Sequence, residues 1–424
     1  MHRPAHGRMM GMPADATTAE RQPLGPMAPP SPDTPATGTG GLLQRLRARY
    51  SETARTAPRL KGWRAYANLA RGYSEYLRGT ASVRARPVKL VFDVTNACQL
   101  GCLLCPTGNG MAERRTGHAD EELFRKLMDQ VGDDVFMVDF FNWGEPLLNP
   151  RIDTLIAMAR ARGIVSTIST NLSLRLSDER IDRIITSGIG EISVSLDGAS
   201  AATHQHYRRK SDFDLICANM RRLAAARKRL GRSTPLLSWQ FIVFRFNEHE
   251  IERARTMAAD FGFDRINVRP PFLDTDRYDL TDEERAEIAQ WAPVNPQYAT
   301  HVSGAPMRSR CGWHYTTTTL NWDGTVSPCC TTFKESDDFG SLGRHGEHAL
   351  ADVVNNDAFR TARAHIANPA LPGGDVVCAR CPSPSIMDYH RHVYRRIAML
   401  TGVAVIEAIR RGFRRLFGRP PATA

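Results

Sequence analysis

Between Val88 and Phe272 the chain alternates between two hydrophobic periods. Short runs rich in β-branched and aromatic residues (VKLVFDVT, VFMVDFF, VSTIST, EISVSLDG, LLSWQFIVFRF and DRINVRP) are separated by longer segments with apolar residues at helical spacing. The helical segments are DEELFRKLMDQV, PRIDTLIAMARARG, SDERIDRIITSG, DLICANMRRLAAARKRLG and EHEIERARTMAADFG. Six strands alternating with five helices predict an α/β fold with a parallel sheet, wound by right-handed crossovers. Six units are too few for a closed eight-stranded barrel. The expectation is a partial (β/α)6 barrel whose ligands sit at the C-terminal ends of the strands.

Outside this stretch the pattern changes. Residues 1–40 are rich in Pro, Ala, Gly and Thr and read as disordered. Residues 41–87 read as a basic helical extension, with apolar positions at helical spacing and Arg or Lys between them. The core occupies 88–272, and 273–305 is expected to be a linker with one short helix, TDEERAEIAQWA. Residues 306–390 hold a cysteine-rich domain, and 391–424 a basic amphipathic helix and tail. In that last helix Met399, Ile406, Ile409, Phe413 and Leu416 share one face, while Arg410, Arg411, Arg414, Arg415 and Arg419 crowd another.

Composition adds a preference for anionic partners: 424 residues carry a formal charge of +11. The basic terminal helix suits peripheral contact with an anionic membrane, or docking on the barrel with its basic face in water. Nucleic acid is not expected as a partner, because aromatic residues are not interleaved with the basic ones as a stacking platform. The N-terminal stretch lacks the apolar centre of a secretory signal, and no run of about 18 apolar residues offers a membrane span. The expected location is cytoplasmic, peripheral at the membrane if the helix docks there.

Nine cysteines are too few for a disulfide scaffold of this length, and eight of them fall in two groups, which favours metal ligation. Cys98, Cys102 and Cys105 follow the first strand with spacing C-x3-C-x2-C. A structural zinc needs four protein ligands, and His118 lies outside a compact zinc spacing. Three thiolates on one loop suit a [4Fe–4S] cluster with one iron left open.

This pattern, after the first strand of a partial barrel, resembles the radical S-adenosylmethionine (SAM) superfamily over residues 88–272. The resemblance implies that SAM chelates the open iron and that cleavage of its sulfonium bond yields a hydrogen-abstracting 5′-deoxyadenosyl radical. It also implies a set of SAM contacts. Gly144, Glu145 and Pro146 in NWGEPLL resemble the segment that holds the SAM amino group, with Trp143 where a second glycine is usual. Thr170 and Asn171, with Ser169 before them, end the third strand, where the family contacts SAM. Ser195 and Asp197 match its ribose and carboxylate region, and Arg208 an arginine that pairs with the SAM carboxylate. Leu104 stands where an aromatic residue often flanks adenine.

The second group resembles the C-terminal extension called SPASM, in its shorter twitch form. Cys311, Cys329, Cys378 and Cys381 would complete one auxiliary [4Fe–4S] cluster, a four-cysteine zinc site being the alternative. Cys330 is the rival of Cys329, although the Gly-x4-Cys step from Gly324 favours Cys329. Asp323-Gly324 is expected to turn a hairpin. Cys217 reads as a plain buried thiol.

The twitch-like spacing is similar to that of a sugar-alcohol dehydrogenase of aminocyclitol antibiotic synthesis. It implies two-electron oxidation of a small-molecule substrate, lipid-linked or glycosidic substrates included, with an electron donor such as flavodoxin or ferredoxin. The alternatives are a SPASM-type peptide-modifying maturase and a redox-neutral epimerase or lyase. No catalytic base stands out in the sequence; Arg245, Arg269 and His314 are the candidates for the barrel mouth.

Overall fold

The computed structural model describes residues 34–35, 50–56, 60–111, 113–273, 275, 280–298, 311–381 and 389–417, with side chains described to 409. Of the segment expected to be disordered, only Thr34–Pro35 is among them.

The six expected strands are present: β1 (Lys89–Phe92), β2 (Met137–Asp139), β3 (Val165–Thr170), β4 (Glu191–Ser195), β5 (Leu236–Ile242) and β6 (Arg265–Arg269). Each is parallel to its neighbour in chain order. A helix α1 (Trp63–Arg78) precedes them. The crossovers are α2 (Glu121–Val131), α3 (Ile152–Ala161), α4 (Asp178–Thr186), the pair α5 (Ala201–Tyr207) and α6 (Phe213–Arg229), and α7 (Ile251–Asp260). Local chemistry sets their starts. Asp120, Ser177 and Asp212 each accept a hydrogen bond from a first-turn backbone N–H, satisfying a donor that has no partner inside the helix. Helix α8 (Asp282–Ala289) in the linker opens with a capping box between Thr281 and Glu284.

The sheet does not stop at six. Thr317–Leu320, β7, pairs in parallel with β1, from Lys89 opposite Thr317 to Phe92 opposite Leu320. Strands β8 (Thr325–Ser327) and β9 (Gly340–Ser341) then continue antiparallel, so the cysteine-rich segment is built onto the barrel's first edge. The hairpin turns at Asp323-Gly324 as expected. Gly324 has φ of 87°, and a Cβ there would lie 2.0 Å from the Gly343 carbonyl oxygen. At the opposite edge Thr34–Pro35 pairs antiparallel with β6. Helix α9 (Asp357–Ala367) packs Phe359 and Ala362 into the main core.

The two faces of the sheet differ. Leu90, Phe92, Val138, Ile168, Ile192, Val194, Leu237, Trp239, Phe241 and Ile266 belong to the core beneath the helices. By strand alternation the other face carries Lys89, Asp139, Thr167, Ser169, Ser193, Ser195, Ser238, Gln240 and Asn267. Parallel strands buried on both faces normally read as apolar throughout. That face also carries Val91, Leu236 and Ile242, but its polar share makes it the candidate ligand-facing side of the sheet.

The lumen's floor combines an apolar cluster with an ion cluster. Val88, Phe136, Met137 and Val165 at the strand starts pack against Ala65 of α1 and Val393, Ile397 and Leu400 of the terminal helix α10 (Tyr389–Phe417). Arg396 of α10 reaches Glu191 at the start of β4 (3.4 Å), which also holds Arg265 (2.6 Å). The docked stripe, completed by Val403 and Ala404, is not the one the sequence singles out: Met399, Ile406 and Ile409 point outward. The side chains of Arg410, Arg411, Phe413, Arg414, Arg415, Leu416 and Arg419 lie outside the described set.

Candidate active site and auxiliary centre

The loop after β1 brings Cys98, Cys102 and Cys105 together beneath the ends of the strands. Each thiol is pushed up by burial, Cys98 to about 11 and Cys102 to about 12; Cys102 would also feel the charges of Cys98 and Cys105, and Cys98 that of Cys105. Arg208 is the cation that opposes this at all three sulfurs. His118 is exposed, its backbone bridged to Thr95, so it is no fourth ligand here. Among the described residues no three His, Cys, Asp or Glu side chains gather tightly enough to hold a single ion. A loop of three converging thiols with a balancing guanidinium fits a multi-iron cluster better than zinc.

The segment after β2 closes over this loop. Glu145 N–H donates to the Ala97 carbonyl (2.8 Å). Gly144 sits so near Thr95 that a Cβ would lie 1.8 Å from the Thr95 carbonyl oxygen, so only glycine fits. Trp143 replaces the expected second glycine without disturbing that approach. Its ring turns toward the auxiliary segment, donating Nε1–H to the Thr332 carbonyl (2.9 Å) and meeting Phe333 edge-on.

Glu145 is buried at 2% exposure. It accepts hydrogen bonds from Thr170 Oγ1 (2.7 Å), Asn171 N (2.7 Å) and Leu147 N (3.0 Å), yet burial outweighs these and pushes its carboxyl up to about 7. A cationic group bound beside it would favour the carboxylate. Asn171 lies with its Nδ2 3.6 Å from Cys98 Sγ while Gln99 holds its Oδ1 (2.8 Å). Ser169 and Ser195 share a hydrogen bond across β3 and β4 (3.2 Å). Asp197, fully buried, receives Arg208 Nε at 2.7 Å and Ile242 N at 2.7 Å. Pro146 opens a buried turn beside Glu145. Of the residues expected to contact SAM, Gly144, Glu145, Asn171, Asp197 and Arg208 are thus brought to the three-cysteine loop, Thr170 joins through Glu145, and Ser195 is tied to Ser169.

Leu104 joins an apolar wall on this loop with Leu100 and Leu103. The aromatic rings that position 104 lacks come from farther along the chain. Tyr207 and Phe244 pack at 4.9 Å, and Trp291 meets Phe244 edge-on at 5.6 Å. Sequence reading missed this wall, and it missed Asp93. That carboxyl ends β1, accepts the backbone N–H of Trp143 (3.4 Å), and is pushed up to about 7 by burial.

The second group also converges. Cys378 would feel the charges of Cys329, Cys311 and Cys381, and Cys311 those of Cys329 and Cys381. Cys330 turns away: besides Cys329, its charged neighbours are Lys89 and Asp139 on the inner wall. His314 stands beside Cys378, with Nε2 3.7 Å from Sγ, and burial pushes its imidazole down to about 3. It belongs to the auxiliary centre rather than the barrel mouth, while Arg245 and Arg269 are exposed. Arg114 ties the segment after the first cysteine loop to the β7–β8 hairpin and Asp338. Its guanidinium, 6% exposed, binds Asp323 (2.8 Å), Thr325 (2.6 Å) and Asp338. Cys217 is buried in the main core, as expected.

Residues 92–259 match the profile of the radical SAM superfamily, and residues 311–382 that of the SPASM iron–sulfur cluster-binding domain. The chain is therefore a radical SAM enzyme with a C-terminal SPASM-type domain, and its cofactors are SAM and iron–sulfur clusters, the radical SAM [4Fe–4S] cluster among them. Its curated relatives include the PqqA peptide cyclase of Xanthomonas euvesicatoria, 23% identical over 72% of this chain and 82% of the relative. The mycofactocin maturase of Mycobacterium tuberculosis is 28% identical over 48% of this chain and 51% of the relative. A cofactor-modifying protein for a tungsten-containing aldehyde ferredoxin oxidoreductase of Pyrococcus furiosus is 23% identical over 71% of this chain and 88% of the relative. None is a small-molecule dehydrogenase by name.

Proposed function

We propose that this enzyme modifies a peptide. The observation that carries the reading is the match to a peptide cyclase along 72% of this chain and 82% of that relative's length. The polar inner wall supports it, since serine, threonine, asparagine and glutamine side chains suit a substrate rich in amide donors and acceptors. Dehydrogenation of a small molecule, implied only by the resemblance in cysteine spacing, is the second reading.

In either case the division of labour among the residues is the same. Cys98, Cys102 and Cys105 would hold the first cluster, and Cys311, Cys329, Cys378 and Cys381 one auxiliary [4Fe–4S] cluster. Bound together, the first cluster and SAM supply hydrogen-atom abstraction from a C–H bond. Glu145, fixed by Thr170 and Asn171, would accept the SAM ammonium. Asp197 orients Arg208 through Nε, leaving the two terminal nitrogens for the SAM carboxylate. Ser195 would face the ribose. Leu104, Tyr207, Phe244 and Trp291 exclude water from one side of the site. Electrons would arrive from a small donor protein such as flavodoxin or ferredoxin.

The test is anaerobic incubation of the reconstituted enzyme with SAM, a reductant and the short peptides encoded beside its gene, read by mass spectrometry. Loss of hydrogen mass from one peptide, with matching 5′-deoxyadenosine, is expected. Turnover on aminocyclitols with every such peptide unchanged would overturn the peptide reading in favour of dehydrogenation.

A further inference from the structure

Two helices at the barrel floor share an unusual surface. Helix α10 is 29 residues long, about 44 Å at helical rise. Among the described residues Val393, Ile397, Leu400, Val403 and Ala404 are its buried apolar positions, and the opposite face presents Met399, Val405, Ile406 and Ile409 at 39–55% exposure. Helix α1 touches it where Tyr73 meets Tyr394 edge-on at 5.1 Å. Its outward face presents Trp63 (74% exposed) and Leu77 (59%).

The exposed charges that the two helices themselves carry are positive, although the exposed carboxylate of Asp133 lies near Lys61 just ahead of α1. In α1 the exposed charged residues are Arg64, Arg71 and Arg78. The helix's one acid, Glu75, is buried and accepts the backbone N–H groups of Arg84 and Ala85. In α10 Arg391 and Arg395 are exposed on the outward side, and four more arginines follow in sequence at 410, 411, 414 and 415. The helix's one acid, Glu407, accepts the Tyr50 hydroxyl. Both carboxylates are thus turned to protein partners, and among the described residues of the two helices the exposed charges are arginines.

We infer that the outward faces of α1 and α10 dock this enzyme on an anionic lipid bilayer. Apolar tips spaced singly between arginines suit the membrane interface. The tips enter the acyl boundary, and the guanidiniums reach phosphates on stems that lie along apolar surface. A protein interface of this size would instead gather its apolar residues into a core depleted of charge. Nucleic acid would engage the arginines but gives no role to Ile406, Ile409 or Leu77. The floor lies at the strand starts and the candidate site at the strand ends. Docking therefore leaves the barrel mouth facing the aqueous phase, open to a soluble substrate.

Co-sedimentation of the full, reconstituted protein tests this. Vesicles of phosphatidylglycerol and phosphatidylcholine should pellet it at least about tenfold better than phosphatidylcholine alone. The variant Trp63→Ser/Leu77→Ser/Ile406→Ser/Ile409→Ser should lose at least about tenfold of that partitioning, with circular dichroism and iron content unchanged. If that variant fails to fold, brominated lipids still report on the wild-type chain, because an inserted Trp63 would be quenched. Equal and negligible pelleting with both vesicles, unquenched fluorescence, wild-type pelleting by a folded variant, or preference for duplex DNA over anionic vesicles would each overturn the proposal.

Discussion

Replacing Glu191 by glutamine should loosen the barrel floor by an amount that depends on pH in a defined way. Glu191 is 5% exposed and accepts from Ser238 (2.9 Å), Arg265 and Arg396. Burial by itself would raise its pKa, but the two guanidiniums and the hydroxyl overcome this and hold it at about 2, against an ordinary 4.5. A folded-state pKa below the unfolded value contributes stability above the unfolded value, lost as pH falls through the folded one. A depression of that size is worth about 3 kcal/mol at pH 7, and about half of it remains at pH 3. The amide keeps the shape but leaves Arg265 and Arg396 facing a neutral group. Arg265 retains Glu52 at 3.3 Å and Arg396 is 32% exposed, so both cations keep some compensation. The expected loss is therefore about 3 kcal/mol, the lower end for breaking a buried pair. Denaturant unfolding of wild type and Glu191→Gln, followed by circular dichroism between pH 7 and pH 3, measures it. The reasoning fails if the two proteins coincide at pH 7, or if the gap between them does not shrink as pH falls.

Two further outcomes concern the cysteine-rich segment. Arg114→Met should destabilise the protein by about 3–5 kcal/mol, because Asp323 and Asp338 would lose their shared cation, and the loss should appear as a lowered unfolding midpoint. Cys330→Ser should keep the full iron content, whereas Cys329→Ser should lose about four irons per chain by colorimetric assay, since Cys330 points to Lys89 and Asp139.

The strands and crossover helices were legible because each carries its own hydrophobic period, and the first cysteine loop because its three cysteines lie within eight residues of one another. What escaped was set by contacts between distant segments. Thr317–Leu320 reads locally as a polar run, and only its pairing with β1 makes it a seventh parallel strand. Arg114 and Asp323 are 209 positions apart, so nothing in either neighbourhood announces the clamp. The aromatic wall assembles from Tyr207, Phe244 and Trp291, each an unremarkable residue in its own segment. The terminal helix is apolar on two sides, so its pattern could not say which stripe would meet the barrel. The substrate class was equally hidden. Cysteine spacing pointed toward a small-molecule dehydrogenase, whereas the curated relatives include a peptide cyclase and a mycofactocin maturase.

The central claim is that one open-iron cluster and one fully ligated auxiliary cluster share this fold, with SAM at the first. Iron counting after anaerobic reconstitution, paired with the yield of 5′-deoxyadenosine from SAM and a reductant, tests it most directly. The account predicts about eight irons per chain. It predicts about four, and no 5′-deoxyadenosine, when Cys98, Cys102 and Cys105 are replaced by alanine. About four irons in the wild-type protein would remove the auxiliary cluster, and bound zinc without SAM cleavage would contradict the account as a whole.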